Sequence, residues 1–215
     1  MIGAVLWDMD GVLVDTATFH YQAWRALFAG LGKDLSEEEF RSTFGLRNDD
    51  ILRSILGEMP AERLRELGRR KEELFREAIR DRVQPLPGAV SLVRRLREAG
   101  AKTAVVSSAP RLNVETLLDA LGLADAFDTL VAEEDAERGK PDPQGYLVAA
   151  ERLGIAPEEC VVIEDAPGGV EAAKRADMRC IGLAAGRETG ALAQADLVVA
   201  GLEDDAVYFF LGVQR

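Results

Sequence analysis

The sequence predicts an α/β protein: a doubly wound, Rossmann-like parallel sheet whose first strand is followed by a helical insertion. Three observations carry this expectation. Apolar runs of strand length recur at Ile2–Trp7, Lys102–Ser107, Thr129–Ala132, Cys160–Ile163, Met178–Leu183 and Asp196–Ala200. Amphipathic helical stretches stand between most of them, and continuous apolar strands alternating with helices call for a parallel sheet covered on both faces. Residues 16–82 break the rhythm, with helical patterns and no convincing strand.

Taken in order, the first strand ends in "DMDGVLVDT" at 8–16, and the insertion then supplies four helical pieces, Thr18–Leu31, Ser36–Phe44, Asn48–Leu56 and Ala61–Arg82. "SEEE" at 36–39 reads as a capping box opening the second of them. The prolines of "PLPG" at 85–88 favour an extended return to the sheet. Beyond it, helices are expected at Ala89–Ala99, Leu112–Leu121, Gln144–Leu153 and Gly168–Ala176, and the apolar cluster of "DDAVYFFLG" at 204–212 reads as a docking helix. The expected division is a core of residues 1–15 with 83–215 and an inserted unit of 16–82.

Composition narrows the function. With 47% hydrophobic and 30% charged residues in 215, the chain reads as an ordinary globular protein able to bury its cores without a partner, so a monomer is expected. A formal net charge of −12 argues against a general nucleic-acid binder but leaves room for a small phosphorylated ligand in a locally cationic cleft. The N-terminal apolar run has no basic leader and is interrupted at Asp8, so neither a secretory signal nor a membrane span is expected, and the protein is placed in the cytoplasm. Cys160 and Cys180 lie in strand-like runs and read as buried reduced thiols, while a single histidine, His20, leaves no Cys/His metal set.

In an open parallel sheet the ligand site lies at the carboxyl ends of the strands. There the chain offers Asp8 and Asp10, then Ser107 and Ser108, then Lys140 in "GKPDP", then Glu164 and Asp165. An Asp after a strand is ordinarily a turn residue or helix cap. Four carboxylates in one crevice would raise one another's pKa values unless a cation shared the site, and a hard divalent ion such as Mg²⁺ removes the conflict. Lys140 is then a fixed counter-ion for a phosphoryl group.

The ordered motifs "DMDGVLVDT", "VVSSA", "GKPDP" and "VVIEDAPGGVEAAKRA" resemble the haloacid dehalogenase (HAD) superfamily of phosphoryl-transfer enzymes over essentially the whole chain. The insertion looks like the four-helix C1 cap of the subgroup that includes β-phosphoglucomutase and sugar-phosphate phosphatases. Asp10 sets the chain apart from the dehalogenase branch, whose first motif generally lacks a second aspartate. The resemblance implies Asp8 as nucleophile and Asp10 as general acid and base. It implies Mg²⁺ held by an Asp8 carboxylate oxygen, the Asp10 backbone carbonyl and Asp165, with Glu164 bound directly or through water. Ser107 and Lys140 would grip the transferring phosphoryl group.

Specificity is expected from the insertion, through His20, Trp24, Arg47, Asn48 and Lys71, with Gly11, Thr16 and Ser108 completing the substrate contacts. His20 and Trp24 are one helical turn apart and match a similar "HxxxW", and Lys71 in "RRKEELF" matches a lysine of β-phosphoglucomutase. "FGLRNDD" departs from the pattern, with Arg47 one place earlier than the expected arginine and Asn48 in its position. The expected activity is therefore a Mg²⁺-dependent phosphatase acting on a small sugar or polyol phosphate, with β-phosphoglucomutase as the alternative. A phospho-acceptor signalling module is a third reading, opposed by the insertion and by Asp10. The expected partner is a small phosphorylated metabolite, not a nucleic acid or a membrane.

Overall fold

The first strand, β1 (Ala4–Trp7), is short and wholly buried. Its apolar side chains point alternately to the two faces of the sheet, so both faces must be covered. The structure, a computed structural model, describes residues 2–43, 46–80, 82–184 and 189–214. The chain divides into two compact units, Met1–Asp15 with Val83–Arg215, and Thr16–Arg82.

The first unit continues with α5 (Ala89–Glu98), β2 (Lys102–Val106), α6 (Arg111–Ala120), β3 (Thr129–Val131), α7 (Gln144–Leu153), β4 (Cys160–Glu164), α8 (Pro167–Arg175), β5 (Arg179–Leu183), β6 (Leu197–Val199) and α9 (Asp205–Leu211). Among the described residues the strands form one parallel sheet in the order β3-β2-β1-β4-β5-β6. The order reverses beside β1, between the pairs β1–β2 and β1–β4. On one face Ala4, Leu6, Ala104, Val106, Cys160 and Val162 pack with Tyr146 and Ala149 of α7 and Val170 and Ala173 of α8. The alternate residues Val5, Trp7, Val105, Val161 and Ile163 are equally buried on the other face.

Strand ends differ from expectation by a residue or two, for identifiable reasons. Ala132 does not extend β3 because its N–H donates to Asp135 Oδ2, 2.8 Å away. Asp196 precedes β6 and turns its carboxylate to the Cys180 N–H at 2.7 Å and to Lys174. Cys160 and Cys180 are free, buried thiols, and burial pushes them up to about 11 and about 12 respectively. The apolar face of α9 buries Val207, Tyr208 and Leu211 and leaves Phe209 exposed.

The second unit holds α1 (Ala17–Gly30), α2 (Glu37–Ser42), α3 (Asn48–Leu56) and α4 (Ala61–Ile79). Trp24, Leu27, Phe28, Leu52, Leu64 and Leu67 form its core. The capping box is present: Ser36 Oγ accepts from the Glu39 N–H, and Glu39 Oε2 accepts from the Ser36 N–H. The expected helix end at Phe44, and Asp81 within the last expected helix, lie outside the described residues. Helix α4 stops at Ile79 because Arg80 leaves the helical region with ψ 122°, and Arg82 Nε donates to the Ala78 carbonyl that the ending helix leaves over. Among the described residues no helix is long and apolar enough to cross a membrane.

Candidate active site

The site is set by the register of β1 on β4. Trp7 pairs with Ile163, and the Asp8 N–H donates to the Ile163 carbonyl at 3.0 Å, so Asp8 and Glu164 leave the sheet side by side. Both share the parity of Leu6 and Val162, which aims them at the face covered by α7 and α8. Asp8, Glu164 and Asp165 are all buried, and their carboxylate oxygens lie within 4.8 Å of one another.

Two glycines make this crowding possible. Gly11 has φ +85°, and a Cβ there would lie 2.1 Å from Asp165 Oδ2. A Cβ at Gly169, in the first turn of α8, would lie 1.8 Å from Glu164 Oε1. Neither position can carry a side chain without moving a carboxylate.

Lys140 Nζ donates to Asp8 Oδ1, to Glu164 Oε1 at 2.5 Å and, weakly, to the Val106 carbonyl at 3.4 Å. Its loop is held from two sides: Arg138 Nε donates to Asp142 Oδ2, and Arg175 Nη1 of α8 donates to the Pro141 carbonyl. Glu164 also accepts from the Tyr146 hydroxyl on Oε1, and from the Asp165 and Ala166 N–H groups on Oε2.

Electrostatics follow this geometry. Burial pushes the Asp8 carboxyl well up, Lys140 pulls it down, and Glu164, Asp10 and Asp165 push it up again. Burial alone would lower the Lys140 ammonium, but Asp8 and Glu164 outweigh it and hold the group charged. Burial and then the Glu164 carboxylate raise Tyr146, which keeps its hydroxyl protonated as a donor. An all-oxygen, buried acidic set that includes the raised Asp8 carboxyl fits a hard divalent cation and offers no soft ligand.

The remaining sequence-derived candidates fall as follows. Ser107 is buried at the end of β2, its Oγ accepting from the Ala109 N–H, while Ser108 is exposed. The Asp10 carboxylate is outside the group of three. Thr16 is buried at the start of α1. In the helical unit, Lys71 (2% exposed) donates to His20 Nδ1 at 2.8 Å and to Glu72 Oε1 at 2.9 Å. Glu72 Oε1 also accepts from Asn48 Nδ2 at 2.7 Å. His20 stacks on Phe75, and Trp24 is buried against Phe28 with Lys71 Nζ 5.3 Å from its ring centre. Arg47 is exposed at the start of α3.

Sequence reasoning missed Tyr146, Gly169 and Glu72. Tyr146 reads as an apolar helix residue, Gly169 as turn punctuation and Glu72 as one charge in a charged run, so nothing local marks them.

The family model for haloacid dehalogenase-like hydrolases matches residues 2–177. The chain belongs to this family. Among curated relatives of this HAD-like hydrolase is validoxylamine A 7'-phosphate phosphatase of Streptomyces hygroscopicus subsp. limoneus, 32% identical over 95% of this chain and 96% of that protein. Another is β-phosphoglucomutase of Bacillus subtilis, also 32% identical, over 94% and 90% of the two chains. Among solved structures, β-phosphoglucomutase from Clostridium difficile superposes with a TM-score of 0.86 at 28% identity, covering 99% of this chain and 96% of that one.

Proposed function

We propose that this HAD-like hydrolase is a Mg²⁺-dependent phosphatase of small sugar or polyol phosphates, working through an aspartyl phosphate on Asp8. The observation that carries the reading is the buried Asp8–Lys140–Glu164 arrangement at the point where strand order reverses. Asp8 attacks phosphorus, the bond from phosphorus to the sugar oxygen breaks, and Asp10 protonates the departing oxygen. Water then attacks the aspartyl phosphate, Asp10 takes its proton, and inorganic phosphate leaves with Asp8 restored. Lys140 and Ser107 hold the equatorial phosphoryl oxygens, assisted by Gly11 and Ser108.

Mg²⁺ would be held by the Asp8 and Asp165 carboxylates and the Asp10 backbone carbonyl, with Glu164 beside them. When bound, it supplies charge neutralisation that lets a carboxylate approach a phosphate. Residues 16–82 act as the cap that chooses the substrate, using Thr16, His20, Trp24, Arg47, Asn48 and Lys71.

Hydrolysis is favoured over isomerisation by the state of Lys71. A mutase needs cations for a second phosphate, whereas the Lys71 charge is met by Glu72 within its own helix, and Asn48 is bonded to the same carboxylate oxygen. The test is a panel of sugar phosphates with and without Mg²⁺, reading free phosphate. Release confined to the Mg²⁺ arm is expected, and no release from any member would overturn the reading. On β-glucose 1-phosphate with a trace of the 1,6-bisphosphate, glucose 6-phosphate forming without free phosphate would instead establish the mutase.

A further inference from the structure

The Glu164 carboxylate is saturated with protein donors, and one of them comes from a residue outside every motif. Tyr146, 1% exposed on α7, donates its hydroxyl to Glu164 Oε1 at 2.9 Å. That same oxygen accepts the Lys140 ammonium, whose Nζ stands 5.2 Å from the centre of the Tyr146 ring. One aromatic side chain thus touches both members of the pair, the carboxylate through its hydroxyl and the cation through its π face.

We infer that Tyr146 is a positioning residue for phosphoryl binding, holding Glu164 Oε1 so that Lys140 is anchored from behind and aimed into the crevice. The inference rests on the proposed reading of Lys140 as the cation that holds the phosphoryl group. The reason is geometric. Lys140 must keep its place when a phosphoryl oxygen competes for the donor now given to Asp8, and among the described residues its remaining hydrogen bonds are then the one to Glu164 and the weak one to Val106. The amides of Asp165 and Ala166 pin Glu164 Oε2, and Gly169 leaves the space Oε1 occupies. Without the hydroxyl, Oε1 has lost the donor that does not depend on Lys140 itself.

The test is a double-mutant cycle of Y146F and E164Q, read by calorimetric titration of inorganic phosphate in the presence of Mg²⁺ and by kcat on the best sugar phosphate. Phe keeps the ring and removes the hydroxyl. Y146F is expected to keep the wild-type circular dichroism spectrum and to bind phosphate about tenfold more weakly, with a similar fall in kcat. In the E164Q background the same change is expected to cost less than about twofold, because its route of action has gone. Wild-type phosphate affinity in Y146F, an equal cost in both backgrounds, or an unfolded Y146F would overturn the inference and leave the proposed activity standing. A wild-type protein that binds no phosphate would instead overturn the reading of Lys140, and the inference with it.

Discussion

At the scale of single residues, the site is a problem of charge density solved by placement. Asp8, Glu164 and Asp165 are crowded together with Lys140 between the first two, and two glycines make room for the carboxylates. Asp8→Asn preserves the shape and removes the proposed nucleophile. It is expected to lower kcat at least about a thousandfold and to prevent trapping of a phosphoenzyme. Stoichiometric phosphorylation of that variant, seen as an added phosphate in intact-protein mass spectrometry, would rule Asp8 out. The residues of this site were legible where a motif announces them, as with Asp8, Asp10, Lys140, Glu164 and Asp165. Tyr146 was not, because its role depends on the angle at which α7 crosses the sheet, which no spacing in the sequence records.

At the scale of elements, helices and strands were read within a few residues because strong periodicity decides their existence. Their ends were decided by individual polar groups, such as Asp135 capturing the Ala132 N–H and Arg82 capturing the Ala78 carbonyl. One of these terminal groups has a pH signature. Burial raises the Asp196 carboxyl, but Lys174 and the Cys180 N–H outweigh it and hold it below the usual range. A carboxyl depressed in the folded state adds stability above its unfolded value of about 3.9, and that stability is lost as pH falls through the lower folded value. Asp196→Asn cannot titrate, so its melting temperature is expected to fall less steeply than the wild type's between about pH 4 and pH 2. Identical slopes in scanning calorimetry would show that the Lys174–Asp196 link between α8 and the start of β6 contributes nothing.

At the scale of the whole molecule, the net charge of −12 is at odds with an anionic substrate, so relief has to be local, from Lys140 together with a bound cation. In the sheet-bearing unit, a bound cation would relieve the mutual repulsion of the three buried carboxylates. Mg²⁺ at about a hundred times its dissociation constant is expected to add about 2.7 kcal/mol, raising the melting temperature by roughly 5 to 10 °C. Chelator should reverse the shift, and a melting temperature indifferent to both would argue against a metal at these residues. The two tryptophans, Trp7 beside Asp8 and Trp24 in the helical unit, allow the melting of each unit to be followed separately in W7F and W24F variants.

The point where the chain leaves the sheet-bearing unit has a consequence for how such a protein can change. Val14 forms an antiparallel bridge with Pro85, and the Leu86 N–H donates to the Leu13 carbonyl at 2.9 Å. The two ends of the insertion are therefore stapled together on the unit they leave, and whatever lies between them is a closed loop. Closing a loop twice as long costs only about 0.6 kcal/mol more. Residues 16–82 can thus be lengthened, trimmed or exchanged with little strain on the strand that carries Asp8. The strand that carries Asp8 and the insertion proposed to choose the substrate are stretches of sequence that can be rewritten independently.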